Sequence, residues 1–170
     1  AIVRRLVGSE MCIRDSDGIY VRTGPNPKDG KGSHWFLGDG MVHGIRLKKG
    51  KAEWYRNRFV QTPDITEPLT DPMAGLGDLR RGKGNTHVVA HNEQIMCLEE
   101  AHWPWTINAD LETTGVLNYE GKLDCSMTAH PKICPITGEL LAFSYFSFEQ
   151  PYLKYIRVSA DGKLQQIEGI

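Results

Sequence analysis

The chain has no surplus of charge of either sign: 20 basic and 21 acidic side chains leave a formal net charge of −1 over 170 residues. An extended basic face built to hold a nucleic-acid backbone is therefore not expected. No apolar run reaches the length of a membrane-spanning helix. Cysteine is scarce. Cys12, Cys97, Cys125 and Cys134 form no CxxC pair and no zinc-ribbon spacing. Cys97, inside QIMCLE, reads as a reduced core residue, and a disulfide between Cys125 and Cys134 is not expected. This usage fits a reducing compartment, the cytoplasm. There is no Gly-x-Ser-x-Gly elbow, GKG at 82–84 matches no phosphate loop, and GDG at 38–40 has too few ligands for a calcium loop.

What the chain does have is punctuation. Its 18 glycines and 9 prolines fall between short apolar stretches. That pattern belongs to a turn-rich, all-β protein. Residues 1–16 differ: RRLVGSEMCIRDS lacks the continuous apolar core of a secretory signal and reads as translated adapter sequence. It is set aside, leaving 17–170 as the folding unit and the native N-terminus, with any targeting signal, outside this reading.

From Asp17 onward, short strands alternate with turns. GIYVRTG is a strand running into the PNPKDGKG loop. SHWFL, GDG and MVHGIRL read as a hairpin with an Asp-Gly turn. AEWYRNRFVQT is a strand with Trp54, Arg56 and Arg58 on one face and Tyr55, Asn57 and Phe59 on the other. NTHVVAH and QIMCLEE form a hairpin across Asn92-Glu93. WTINA, VLNYEG, ELLAFSYF, YLKYIRVS and KLQQIEG supply further strands, the last two across Asp161-Gly162. The connection at 62–84, rich in proline and glycine, is of the length usually kept for function or mobility. Its three prolines make it poor material for an interfacial helix, so only weak contact with a membrane surface is expected. Such spacing fits a sandwich, a barrel or propeller blades, and at about 40–45 residues per blade the chain supplies at most about four.

Five motifs in one order, GIYVRTGPNP, HWFLGDGMVHGIRL, WYRNRFVQT, NTHVVAH and TAHPKICPITGELLAFSYF, resemble the carotenoid cleavage oxygenase family, which includes stilbene-cleaving dioxygenases. The resemblance runs from Asp17 to the C-terminus and is weakest at 62–84. It implies an all-β fold, the first blades of a seven-bladed propeller, with a non-haem Fe(II) on the axis held by four histidines. The histidine of TAHPK, His130 here, matches the first of these. The other three belong to later blades, and His34, His43, His87, His91 and His102 do not match them. The resemblance thus implies an N-terminal fragment, inactive alone. Its parent would use O2 to cleave a C=C bond of an apolar carotenoid, apocarotenoid or stilbene into two carbonyl products. A non-catalytic propeller module and an isomerase of the same family are the alternatives.

The residues themselves agree with part of this. Imidazole suits Fe(II), Zn and Cu alike. Pro131 constrains His130 to extended backbone, which suits a rigidly placed ligand. On the resemblance, Glu100 matches a carboxylate behind the metal ligands, with Glu99 the alternative, since strand alternation turns one of the pair away. Thr86 matches a residue beside the metal's open positions, and Phe59 an aromatic of the substrate tunnel. Trp35 and Trp54 are further candidates for its walls. His87 and His91 have the spacing of a helical zinc pair, but THVVAHN reads as strand and no Glu follows His87. Leu37, Cys134 and Gly84 depart from the family pattern at turns.

Overall fold

A computed structural model describes residues 16–32, 34, 36–147 and 149–170. The adapter-like segment up to residue 15, Cys12 and Trp35 lie outside the described residues. Among the described residues, eleven strands form three antiparallel sheets in chain order. The first holds β1 (Gly18–Pro25), β2 (Gly40–Lys48) and β3 (Lys51–Phe59). The second holds β4 (His87–His91), β5 (Gln94–Leu98), β6 (Trp105–Ile107) and β7 (Thr113–Val116). The third holds β8 (Lys132–Ile133), β9 (Leu140–Ser144), β10 (Lys154–Val158) and β11 (Leu164–Gly169), in the order β11-β10-β9-β8.

Local chemistry sets the hairpins. Lys49 and Gly50 between β2 and β3, and Asn92 and Glu93 between β4 and β5, all have left-handed φ (49°, 69°, 45° and 61°). Two such residues in succession make the turn whose twist matches paired strands. Gly162, at φ 78°, turns β10 into β11. One expected hairpin is absent: β2 pairs with β1 and β3, while the described residues of SHWFL form no strand. The Asp39 main-chain carbonyl accepts from Asn26 N–H, and its carboxylate takes Lys28 N–H and the Lys83 ammonium. The Asp-Gly pair therefore ties a long loop down instead of closing a tight turn.

The sheets lie face to face, and the second is buried on both sides. Toward the first sheet it sends Cys97, Trp105 and Ile107, with Val88 and Ile95, against Val42, Val60, Val21 and Trp54. Toward the third it sends Met96 and Leu98, with Val89, against Leu140, Ala142, Ile156 and Val158. Alternation along β4 and β5 divides the two sets, so the continuous apolar run Ile95–Leu98 feeds two seams. Trp54 thus belongs to a seam, with the Arg56 guanidinium 4.5 Å above its ring. The outward faces of the two end sheets expose Tyr20 and Tyr55 on one side, and Phe143 on the other.

The 62–84 connection carries only a four-residue helix, α1 (Pro63–Thr66), and two 3₁₀ turns (Pro72–Gly75 and Leu79–Arg81). No helix among the described residues is long and apolar enough to cross a membrane. A half-buried ion network fastens the connection: Asp64 takes Arg81 (3.0 Å) and Lys83 (2.8 Å), and Lys83 also reaches Asp39 (3.2 Å). Burial would push the Asp64 carboxyl up, but the two cations outweigh it and hold it below its ordinary value.

Where β2 begins, it abuts the end of this connection. Gly40 N–H donates to the Lys83 carbonyl (3.1 Å), and a Cβ on Gly40 would lie 2.2 Å from that oxygen. A Cβ on Gly24, in β1, would meet nothing within 4 Å. Gly40→Ala is therefore expected to cost at least about 1–3 kcal/mol in urea unfolding. Gly24→Ala should stay within about 0.5 kcal/mol of wild type.

Candidate metal centre between the second and third sheets

His130 sits in the crossover from the second sheet to the third, ahead of β8 and outside any strand. The strand ladder does not fix its geometry. Side chains do. Glu100, two residues beyond β5, accepts from the Thr128 hydroxyl (2.9 Å) and the Ala129 N–H (2.9 Å) on Oε2. Its Oε1 lies 2.9 Å from His130 Nε2, an ion-pair contact. Thr128 Oγ1 in turn accepts the His130 N–H (3.1 Å). Burial alone would push the Glu100 carboxyl up. The Ala129 N–H, the Tyr145 and Thr128 hydroxyls and the charge of His130 outweigh it and hold it below its ordinary 4.5. Tyr145 feels the reverse: burial and its bond to the Glu100 carboxylate push its phenol up to about 12. Glu100 is largely covered (side chain 23 % exposed), whereas the His130 ring is open (63 %).

Glu99 points elsewhere. Its Oε1 accepts the Ala101 N–H (3.0 Å), and its Oε2 takes His102 Nδ1–H (2.5 Å). Both side chains line a cleft with Phe36, Leu69, Leu76 and Phe146; neither Glu100 nor His130 does. The structure therefore brings Glu100 and His130 together and leaves Glu99 apart.

Thr86 is exposed at the head of β4, its hydroxyl donating to Asn85 Oδ1 (3.0 Å). Phe59 is half-buried on β3. By alternation it faces opposite to Trp54, away from the second sheet, so the structure does not gather it with His130. Two departures from the family pattern have local reasons. Gly84 is at φ 58°, a conformation costly for any other residue. Cys134 Sγ accepts the Thr137 N–H (3.5 Å), closing the turn that an aspartate would otherwise close.

Sequence reasoning missed His87. Four residues apart on a strand, His87 and His91 share a face, the one carrying Val89 toward the third sheet. His91 Nε2–H donates to the Gly138 carbonyl (2.9 Å) and His87 Nδ1–H to the Ala129 carbonyl (2.8 Å). The His87 ring stacks on that of His130, centroids 6.0 Å apart. Strand spacing was the signal available, but the partner lies 42 residues away. The other histidines are engaged locally: His43 with the Tyr55 hydroxyl (2.7 Å), His34 with the Phe36 N–H (3.3 Å).

A histidine set against a carboxylate is a pairing that metal-binding histidines commonly show. The 2.9 Å contact between His130 and Glu100 fits that pairing. Among the described residues, no group of three or more His, Cys, Asp or Glu is arranged to hold a metal.

The lignostilbene dioxygenase of Pseudomonas brassicacearum superposes with a TM-score of 0.74 at 31% identity, covering 91% of this chain and 36% of that one. A cobalt-substituted Synechocystis ACO superposes at 0.69 with 21% identity, a likeness of fold, over 91% of this chain and 38% of that one. The architecture is accordingly that of the β-propeller oxygenases, with part of the propeller present. The model of the retinal pigment epithelial membrane protein family (RPE65) matches residues 14–169, and the chain belongs to this family, the carotenoid cleavage oxygenases. A carotenoid cleavage oxygenase of Mycobacterium tuberculosis is 40% identical over 154 residues, 86% of this chain and 31% of the relative. The chain thus spans about a third of the length of these relatives.

Because Glu100 is held below its ordinary value in the fold, the stability it contributes is present above 4.5 and disappears as the pH falls through its lowered folded value. Glu100→Gln is expected to be less stable than wild type at neutral pH, with the gap closing in acid. Urea unfolding of both proteins from pH 7 to pH 3 measures it, and a gap that is constant with pH would contradict the charge-based account.

Proposed function

We propose that this chain is the arc of a Fe(II)-dependent dioxygenase that carries one iron ligand, His130, and that the whole enzyme uses O2 to cleave a C=C bond of an apolar polyene or stilbene into two carbonyl products. The observation that carries the reading is the 2.9 Å Glu100–His130 contact, built from the motif positions the family resemblance singles out. When bound, iron supplies the centre at which dioxygen is activated. This chain's own residues do the holding. Glu100 stands 2.9 Å from the His130 ring, where its negative charge would offset part of a cation's charge. Thr128 fixes the carboxylate and the His130 backbone at once. Thr86, just ahead of the strand of His87, is proposed to narrow the open side, and Phe59 to line the substrate path where the remainder of the ring meets the first sheet.

The substrate classes follow the relatives' names: carotenoid for the mycobacterial oxygenase, lignostilbene for the Pseudomonas one. With only short helical turns, the 62–84 connection offers no amphipathic helix for a membrane, which favours short substrates and weak surface contact. Cytoplasmic residence is proposed on the reduced state of Cys97, Cys125 and Cys134.

In the whole enzyme, Glu100→Ala is expected to lower iron affinity and cleavage rate about 10–100-fold. Glu99→Ala, which disturbs only the His102 side, should cost much less. Iron content by metal analysis and product formation from an apocarotenoid and a hydroxystilbene are the readouts. Equal losses for the two variants would sink the assignment.

A further inference from the structure

The cleft beside the candidate metal centre holds a polar pair that the centre does not use. Its rim is apolar: Phe36 ahead of β2, Leu76 in the 62–84 connection and Phe146 beyond β9 are 75 %, 64 % and 56 % exposed. Among them stand Glu99 and His102. His102 Nδ1–H donates to Glu99 Oε2 (2.5 Å), and Glu99 Oε1 accepts the Ala101 N–H (3.0 Å). The main chain around the ring is tied on two sides. The His102 carbonyl accepts the Met127 N–H (3.1 Å), and the Trp103 N–H donates to the Leu79 carbonyl (2.8 Å). Gly82 closes in as well, since a Cβ there would lie 2.6 Å from the His102 Cβ. A carboxylate only accepts, so the proton of the neutral ring sits on Nδ1 and Nε2 is left as an acceptor. Among the described residues, no hydrogen bond reaches that Nε2.

A fixed acceptor inside an apolar rim suits an apolar ligand with one hydrogen to donate. The cations of the cleft do not favour an anion: Arg81 and Lys83 are paired with Asp64 (3.0 and 2.8 Å), and Lys154 with Asp124 (3.2 Å). We propose that the cleft binds an elongated apolar molecule ending in a phenol or alcohol hydroxyl, which donates to His102 Nε2 while Phe36, Leu76 and Phe146 cover the apolar body. Glu99 holds the ring for that bond. Glu99 and Glu100 are consecutive, so the cleft and the candidate metal centre share one stretch of chain. His102 thereby favours hydroxylated molecules over purely apolar ones. The proposal rests on the dioxygenase reading only in taking the ligand for a substrate; the binding itself needs no metal.

Equilibrium dialysis of the metal-free chain at neutral pH against two probes tests this. The probes are trans-4-hydroxystilbene and trans-4-methoxystilbene, which has the same apolar body but no hydroxyl proton. The wild type should bind the hydroxystilbene about 3–10-fold more tightly, the worth of one hydrogen bond. In His102→Phe that preference should vanish, while the affinity for methoxystilbene stays and reports an intact cleft. Equal affinities in the wild type, no binding of either probe, or a preference that survives in His102→Phe would each overturn the proposal. Should His102→Phe lose methoxystilbene as well, the smaller His102→Leu takes its place under the same outcomes. Neither His130 nor iron takes part in these measurements. Their failure therefore leaves the reading of the metal centre untouched, and that reading stands or falls with the iron affinities of the Glu100 variants.

Discussion

One carboxylate organises the candidate centre. Glu100 gathers the Thr128 hydroxyl, the Ala129 N–H and the His130 imidazole from a stretch of chain that has no ladder to define it. A buried carboxylate is costly unless its lone pairs are filled. Here they are filled by donors from the segment that must be placed, so satisfying Glu100 and shaping the site are one requirement. The lowered titration of Glu100 and the raised titration of Tyr145 are two records of the same bond set.

That arrangement needs the second and third sheets in register, and the packing explains how they get there. The second sheet is apolar on both faces, so it cannot be stable with either face open. Met96, Leu98 and Val89 against Ile156, Val158 and Leu140 form one seam, and His91 pins its far end through Gly138. At the near end, His87, the first residue of β4, and Glu100, just beyond β5, reach the same crossover. The core seam and the polar cluster are therefore continuous. The outward faces of the first and third sheets, with Tyr20, Tyr55 and Phe143 exposed, have the character of blade faces awaiting neighbours. This agrees with a chain that spans about a third of its relatives.

Much of this was legible in the sequence. The Asn92-Glu93 and Asp161-Gly162 turns are local events, so local chemistry found them. QIMCLE declared its burial, and Cys97 is indeed a core thiol, fully covered and pushed up to about 12. The Asp-Gly pair at 39–40 misled, because its turn-forming chemistry is spent on Asn26, Lys28 and Lys83, contacts that no local pattern reveals. Trp54 was read as a candidate tunnel wall and packs in a seam, since period-2 alternation gives faces but not which neighbour covers each. His130 and Glu100 were visible only through their motifs. That Glu100 meets His130 while Glu99 meets His102 depends on where β5 ends.

The central claim is that this arc supplies a single metal ligand. Anaerobic calorimetric titration of Fe(II) into the chain and into its His130→Ala variant tests it most directly. One imidazole cannot hold the ion tightly, because affinity comes from several ligands held ready together. The account predicts weak binding, indistinguishable between the two proteins. Tight binding at one ion per chain, lost in His130→Ala, would mean that further ligands lie within these 170 residues and would contradict it.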